Sequence, residues 1–442
     1  MSPLPKEKIP TDFLSGDFGW YGSMPVGQFE ARFFAGTGKP WDLMLWGWIG
    51  VPAIGALYKS PRQLCQESAT VLAQGGGLEV YYQPDRDGDF SKFHLNCMNV
   101  LGQFARKRKK LCWKSETVPQ VASLIDTRSF WSKSPAILNS WNGEYRPFMG
   151  ALNATISAGH SVDILTDVQL ASRLKDYPVL MITEWEQFAP GTVRQIQSYV
   201  HDGGNLLLMG AGTSRIFADL LDVEFQNDPR EGTFLVQVPK DSRGRTFSHL
   251  TSITGPWQDI TPGKKIKVLA HRTDKPHEGR NPQPVATVNR CGKGQVACFY
   301  GALGKGLYLS HAPGLREIIA VMLDALYTPL ARIKNDDCGE IELALRRQKG
   351  QILIHLINAN NMCTSECVTG PDGNALTNAG NYPLVDRIPA IGPITIQLQL
   401  PHKPRSIRLE PEGIKLPVKS VGKNRYEVTL PKLDIHAIIT ID

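Results

Sequence analysis

The stretch that decides the fold reads TDFLSGDFGWYG over residues 11–22, PVGQFEARFFAGTGKPWDLMLWGW over 25–48 and GGGLEVYYQP over 75–84. Its three short apolar runs, 13–16, 43–48 and 78–82, alternate with stretches that suit helices or loops, and each run leads into Asp, Trp, Tyr or Gln. Parallel α/β barrels carry their chemistry at such strand ends. Aromatic faces stack on the apolar faces of sugar rings, while carboxylates and amides hydrogen-bond hydroxyls and perform acid/base steps. About three strand/helix units fit before residue 128, whereas a closed barrel needs eight.

Working outward, the 442 residues, 42% of them apolar, suffice for two to four domains. The formal charge of +7 is spread over 49 basic and 42 acidic residues, and the one dense run, RKRKK at 106–110, reads as the solvated end of a helix. Without an aromatic-interleaved basic stripe, nucleic acid is not an expected partner. The eight cysteines are scattered. None forms a CxxC and no His pair stands beside them at zinc spacing, so neither a metal site nor a cofactor is expected. Cys363 and Cys367, the closest pair, fit reduced thiols as well as a disulfide. The start MSPLPKEKIPTDF has no apolar core of a leader and no segment approaches 18 apolar residues, so a cytoplasmic chain with no membrane partner is expected. The same start also fits a chain that has lost its front end.

Taken in order, residues 1–128 read as βα units. A helix is predicted over 61–73, with Pro61 in its first turn and Gly75-Gly76-Gly77 as its stop. A second carries Leu95, Met98, Leu101 and Phe104 on one side. Residues 129–333 place apolar strands at 162–165, 179–183, 206–209 and 296–300 between helices, the pattern of a doubly wound parallel sheet, with an insertion or β subregion over 231–283. Residues 334–442 alternate apolar and polar positions between Gly, Pro and Asn turns, as in a small antiparallel β-sandwich. The expected fold class is therefore multidomain α/β: a partial (β/α) barrel, a doubly wound domain and a β-sandwich.

Between Asp12 and about Ala122 the segments LSGDF, GQFEARF, GKPWDLMLWGW, CQESATVLAQGGGLEVYYQPDRDG and VPQVA resemble the C-terminal half of the catalytic barrel in bacterial glycoside hydrolases of the α-L-fucosidase kind, related in layout to the family 42 β-galactosidases. The second unit is similar to the β-galactosidase trimerisation domain, with its flavodoxin-like, class I glutamine-amidotransferase-like fold, and the third to the small β domain that closes those enzymes. The resemblance implies action on O-glycosidic bonds of a fucoside or galactoside, a carbohydrate substrate, and a homo-oligomer, specifically a trimer. In the family 42 pattern the nucleophilic Glu ends the seventh barrel strand and the acid/base Glu follows the fourth. Here the strand resembling the seventh, WDLMLWGW, ends on Trp46 and Trp48, and strands one to about five lie outside the chain. The alternative is a non-catalytic carbohydrate-binding or oligomerisation protein derived from a glycosidase.

Among the residues present, Asp17 closes the FLSGD strand and is a candidate acid/base or nucleophile, or equally a turn cap. Glu30 is the second catalytic candidate, its alternative being a pair with Arg32 or another basic group. Trp20, Trp46 and Trp48 are candidate stacking residues, and Tyr82 and Gln83 candidate pocket-floor residues. Asp85 and Asp87 read as turn residues, and Glu67 as an exposed helix residue. An amidotransferase needs a cysteine on a tight strand-to-helix turn. The turn GAGTS after NLLLM has none, which leaves Thr213 and Ser214 as loop residues; association is the role that the resemblance to the trimerisation domain implies for that unit.

Overall fold

Three βα units open the chain: strand β1 (Leu14–Phe18), helix α1 (Ser23–Gly36), β2 (Trp41–Trp46), the hairpin β3 (Trp48–Val51) and β4 (Gly55–Tyr58), α2 (Pro61–Ala73), β5 (Gly77–Tyr81) and α3 (Lys92–Cys112). This is a computed structural model, and it describes residues 10–18, 23–51, 55–133, 145–237, 250–273, 282–334, 339–360, 384–385 and 387–442. Strands β1, β2 and β5 form a parallel sheet in the order β1-β2-β5. Leu14, Phe18, Trp41, Leu43 and Leu45 are buried on its helix side. The period of two sends Asp17, Met44, Trp46, Glu79 and Tyr81 to the other face. Helix α2 starts where the sequence predicts, because the Ser60 side chain accepts the Gln63 amide and Pro61 occupies the first turn. Gly75, at φ +83, stops it. The β3–β4 hairpin was not expected from the apolar run at 43–48.

Strand β6 (Glu116–Thr117) precedes a central compact unit, Pro119–Thr328; Ile9–Val118 together with Pro329–Asp442 make the second unit. The central unit runs β7 (Val121–Ile125), α4 (Thr127–Lys133), α5 (Arg146–Ser157), β8 (Val162–Thr166), α6 (Leu170–Arg173), β9 (Val179–Thr183), α7 (Pro190–Asp202), β10 (Asn205–Met209) and α8 (Ala211–Ile216). It continues through β11 (Val223–Phe225), β12 (Arg230–Gln237), β13 (Leu250–Trp257), β14 (Ile260–Pro262), β15 (Lys267–Thr273), β16 (Gln283–Cys291) and β17 (Gly294–Phe299) to α9 (Leu303–Ser310) and α10 (Pro313–Leu326). Strands β8, β7, β9, β10 and β17 are parallel neighbours, and β16, β15, β12 and β13 extend the sheet antiparallel to nine strands. Within 231–283 the described strands β12, β13 and β15 thus extend the same sheet, while β14 pairs with β11 in a separate two-stranded sheet. β7 belongs to this sheet although it lies before residue 128. Its five buried residues carry no alternation that would set it apart from a barrel strand.

Helices α5 and α9 cross closely over two glycines. A β-carbon at Gly150 would lie 2.4 Å from the Gly304 carbonyl oxygen and 2.5 Å from the Tyr308 nitrogen. Both are backbone atoms and cannot swing aside, so Gly150→Ala is expected to destabilise the central unit by about 1–3 kcal/mol, read as a lower midpoint in urea unfolding. An unchanged midpoint would show that the helices slide apart without cost.

The C-terminal strands are β18 (Ala331–Ile333), β19 (Ile341–Gln348), β20 (Gln351–Asn358), β21 (Ile394–Gln399), β22 (Ile407–Glu410), β23 (Ile414–Lys415), β24 (Val418–Gly422), β25 (Arg425–Leu430) and β26 (His436–Ile441). A four-stranded sheet, β18-β21-β25-β24, and a six-stranded sheet, β23-β22-β26-β20-β19-β6, enclose one core that includes Leu343, Ile354, Ile396, Val428 and Ile439. All of β26 and most of β19 and β20 are buried. Their second face meets the βα helices: Leu353 and Ile438 pack with Leu72 of α2 and Cys112 at the end of α3. That second buried face makes one unit of segments at opposite ends of the chain.

Candidate active site

The candidate site is the open face of β1, β2 and β5, at their carboxyl ends. Register places Asp17 beside Met44 and Met44 beside Glu79, so two exposed carboxylate residues flank a methionine in one row. Two strand spacings put their Cα atoms roughly 10 Å apart. In the next row Trp46 pairs with Tyr81. The Trp46 ring lies 5.1 Å from those of both Trp48 and Tyr81, and Trp48 lies 6.1 Å from Tyr81. The three rings meet at 43–75°, forming a packed aromatic wall with no open cage between them. The Gln83 amide donates to the Tyr81 hydroxyl at 3.1 Å. The indole N–H groups of Trp46 and Trp48 are buried and meet no acceptor among the described residues.

The expected residues separate on this geometry. Asp17, Trp46, Trp48 and Gln83 belong to the open face, and Trp20 lies outside the described residues, as do Cys363 and Cys367. Tyr82 points the other way. It is buried, stacks on His94 of α3 at 4.5 Å, and its hydroxyl is pushed up by burial. Tyr81 takes the place expected of Tyr82, because neighbours in a strand face opposite sides. Glu30 is 2% exposed on α1, away from the strand ends, and Arg32 is bonded to Glu342 of β19 at 2.7 Å. Glu67, expected in solvent, is fully buried and bonded to Lys59 at 2.9 Å. Glu79 and Tyr81 were missed; their spacing of two along LEVYYQP was the available signal.

At the carboxyl ends of the central sheet the β7–β9 pairing stops at Ser123 and Met181. Doubly wound sheets take ligands at this switch point. Trp185 fills it: its indole donates to the Leu124 carbonyl at 2.7 Å and its ring lies against Phe130 and Phe148. Glu184, at φ +52, accepts the Lys305 amide at 3.1 Å at the start of α9, and burial raises its carboxyl to about 7. Thr213 and Ser214 are buried and donate to the Trp185 and Ala211 carbonyls. The turn that an amidotransferase would use for its nucleophile is committed to holding the loop together. Among the described residues no three His, Cys, Asp or Glu are grouped to hold a metal ion, and no helix is long and apolar enough to cross a membrane.

No family model matches the chain, and no curated protein matches it. Among solved structures it is similar to α-L-fucosidase isoenzyme 2 from Paenibacillus thiaminolyticus, at TM-score 0.77 and 15% identity, over 98% of this chain and 65% of that one. It is also similar to the β-galactosidase from Bacillus circulans sp. alkalophilus, at TM-score 0.63 and 14% identity over 98% and 60%. The cold-adapted β-galactosidase from Rahnella sp. R3 matches at TM-score 0.59 and 15% identity over 97% and 60%. The chain spans 60–65% of the length of these structures. At such identities the likeness is one of fold: the chain shares the fold of about three fifths of these glycosidase structures.

Proposed function

We propose that the open face of β1, β2 and β5 binds sugar, and that it contributes to cleaving the O-glycosidic bond of a fucoside or galactoside once further strands complete a barrel around it. The observation that carries this reading is the Trp46–Trp48–Tyr81 wall beside Asp17 and Glu79. A sugar ring stacks on the outer face of such a wall, and its hydroxyls meet the neighbouring carboxylates. Asp17 is the acid/base or nucleophile, with Glu79 in place of Glu30 as the second carboxylate. Hydrolysis by two carboxylates requires both to flank one bond. The central unit is the oligomer-forming part, and a trimer is the expected assembly.

Binding without turnover is the second reading, favoured by the burial of Glu30 and by Trp46 at the end of β2. A panel of aryl glycosides, including α-L-fucoside and β-D-galactoside, separates the two. Turnover abolished by Asp17→Asn supports catalysis; folded protein without turnover, but with fucose or galactose quenching its tryptophan fluorescence, supports binding alone. Trp46→Ala is expected to weaken the sugar about tenfold, the loss of one stacking contact. An unchanged affinity in Trp46→Ala would remove the aromatic wall from the proposal.

A further inference from the structure

Of the RKRKK run, Arg108 turns inward and is buried, while Lys107, Lys109 and Lys110 stay exposed on the last turns of α3. The chain then brings more cations to them. Gln348 donates to the Trp113 carbonyl at 2.8 Å, and β6 pairs with β19, so exposed Arg347 and Lys349 join exposed Lys114. Trp113, between Lys110 and Lys114 in sequence, is 37% exposed. Its ring lies beside Gly77, at the amino-terminal start of β5, so the patch is at the other end of the strand from Tyr81 and independent of the sugar site above. No ion pair among the described residues engages these cations; the one acidic neighbour across the ladder is Glu116, opposite Arg347.

The backbone supplies an independent indication. Lys114 (φ 58) and Lys349 (φ 49) are left-handed, and Lys349-Gly350 forms the two-residue turn between β19 and β20, where asparagine or glycine costs less. Two lysines therefore occupy positions at which the backbone disfavours lysine. Outliers of this kind collect where a side chain serves a purpose.

We propose that this patch docks an acidic polysaccharide, with Trp113 stacked on one sugar ring and the surrounding cations meeting its carboxylates or sulfates. A single-stranded nucleic acid is the poorer fit, because the protein grooves that bind one present successive aromatics to successive bases, and Trp113 is the one exposed aromatic among the residues of this patch. The test titrates the full chain with polygalacturonate and with dextran sulfate, using neutral dextran and oligothymidylate as controls, at about 50 and 200 mM salt. Expected are binding to both acidic polymers that weakens with salt, and about tenfold losses in Lys110→Glu/Lys114→Glu and in Trp113→Ala, each variant melting with the parent. No binding to either acidic polymer, tighter binding to oligothymidylate, or a Trp113→Ala variant of full affinity would each overturn the proposal.

Discussion

Glu342→Ala is expected to lower the stability of the unit formed by the two ends of the chain by about 3–5 kcal/mol. Glu342 on β19 is buried, as is Arg32 on α1, and their charged atoms lie 2.7 Å apart. The same carboxylate accepts the Gln28 amide at 3.0 Å and the Thr70 hydroxyl at 3.2 Å, so α1 and α2 converge on one residue of the C-terminal sheet. Removing it leaves the guanidinium charge buried without this carboxylate and two donors without their acceptor, and desolvation penalties of that kind exceed the worth of any one hydrogen bond. Replacing both partners, Arg32→Leu with Glu342→Leu, is expected to recover only the part of the loss that comes from the buried guanidinium charge, since the Gln28 and Thr70 donors still lack this carboxylate. Urea unfolding followed by hydrogen exchange in α1 and β19 checks both. A single variant within about 1 kcal/mol of the parent would show that water reaches the pair and screens it.

The second large effect is a loss of stability in mild acid, centred on His355 and His436. Arg108 can only donate, so its Nε–H, 3.1 Å from His436 Nδ1, fixes that nitrogen as an acceptor. Neutral His436 then carries its proton on Nε2 and donates to His355 Nδ1 at 3.1 Å, leaving the His355 proton on Nε2, where it meets no acceptor among the described residues. A further proton on either ring must displace one of these bonds and sit near Arg108 and Arg346. Burial first, then Arg346 and Arg108, hold His355 down to about 3, and burial first, then His355 and Arg108, hold His436 well below the usual range.

Unfolded histidines bind protons near pH 6.5 while the folded pair does not, so stability contributed above that pH falls as the pH drops through it. Each histidine contributes a slope approaching about 1.4 kcal/mol per pH unit, so the pair loses roughly 4 kcal/mol between about pH 7.5 and 5. His355→Leu keeps the Arg108–His436 bond and is expected to halve the slope. Equal slopes in parent and variant would place the acid sensitivity elsewhere.

Glu30 and Glu67 show where local pattern stops being informative. Both stand at helical positions that a single sequence cannot distinguish from solvated ones, and both are buried, Glu67 against Lys59 and Gln63. Arg108 followed the same logic in the opposite sense: one residue of a basic run was drawn inward by His436, some 328 positions away in sequence. Strand parity was readable, yet it puts Tyr81 and not Tyr82 beside Trp46. A shift of one residue exchanges the two faces of a strand.

The sequence alone determined what depends on neighbours along the chain. It determined α2 between Ser60 and Gly75, because a cap, a first-turn proline and a left-handed glycine act within one turn. It also determined the apolar parallel strands of the central sheet and the alternating strands at the C-terminus, because periodicity is local. Tertiary structure decided which of those surfaces meet. The cover over the βα helices, the inward turn of Arg108, the Arg32–Glu342 pair and the choice of Asp17, Glu79 and Tyr81 for the open face rest on contacts between distant segments. Such contacts are fixed by packing and desolvation, which leave no periodic signature in either segment by itself.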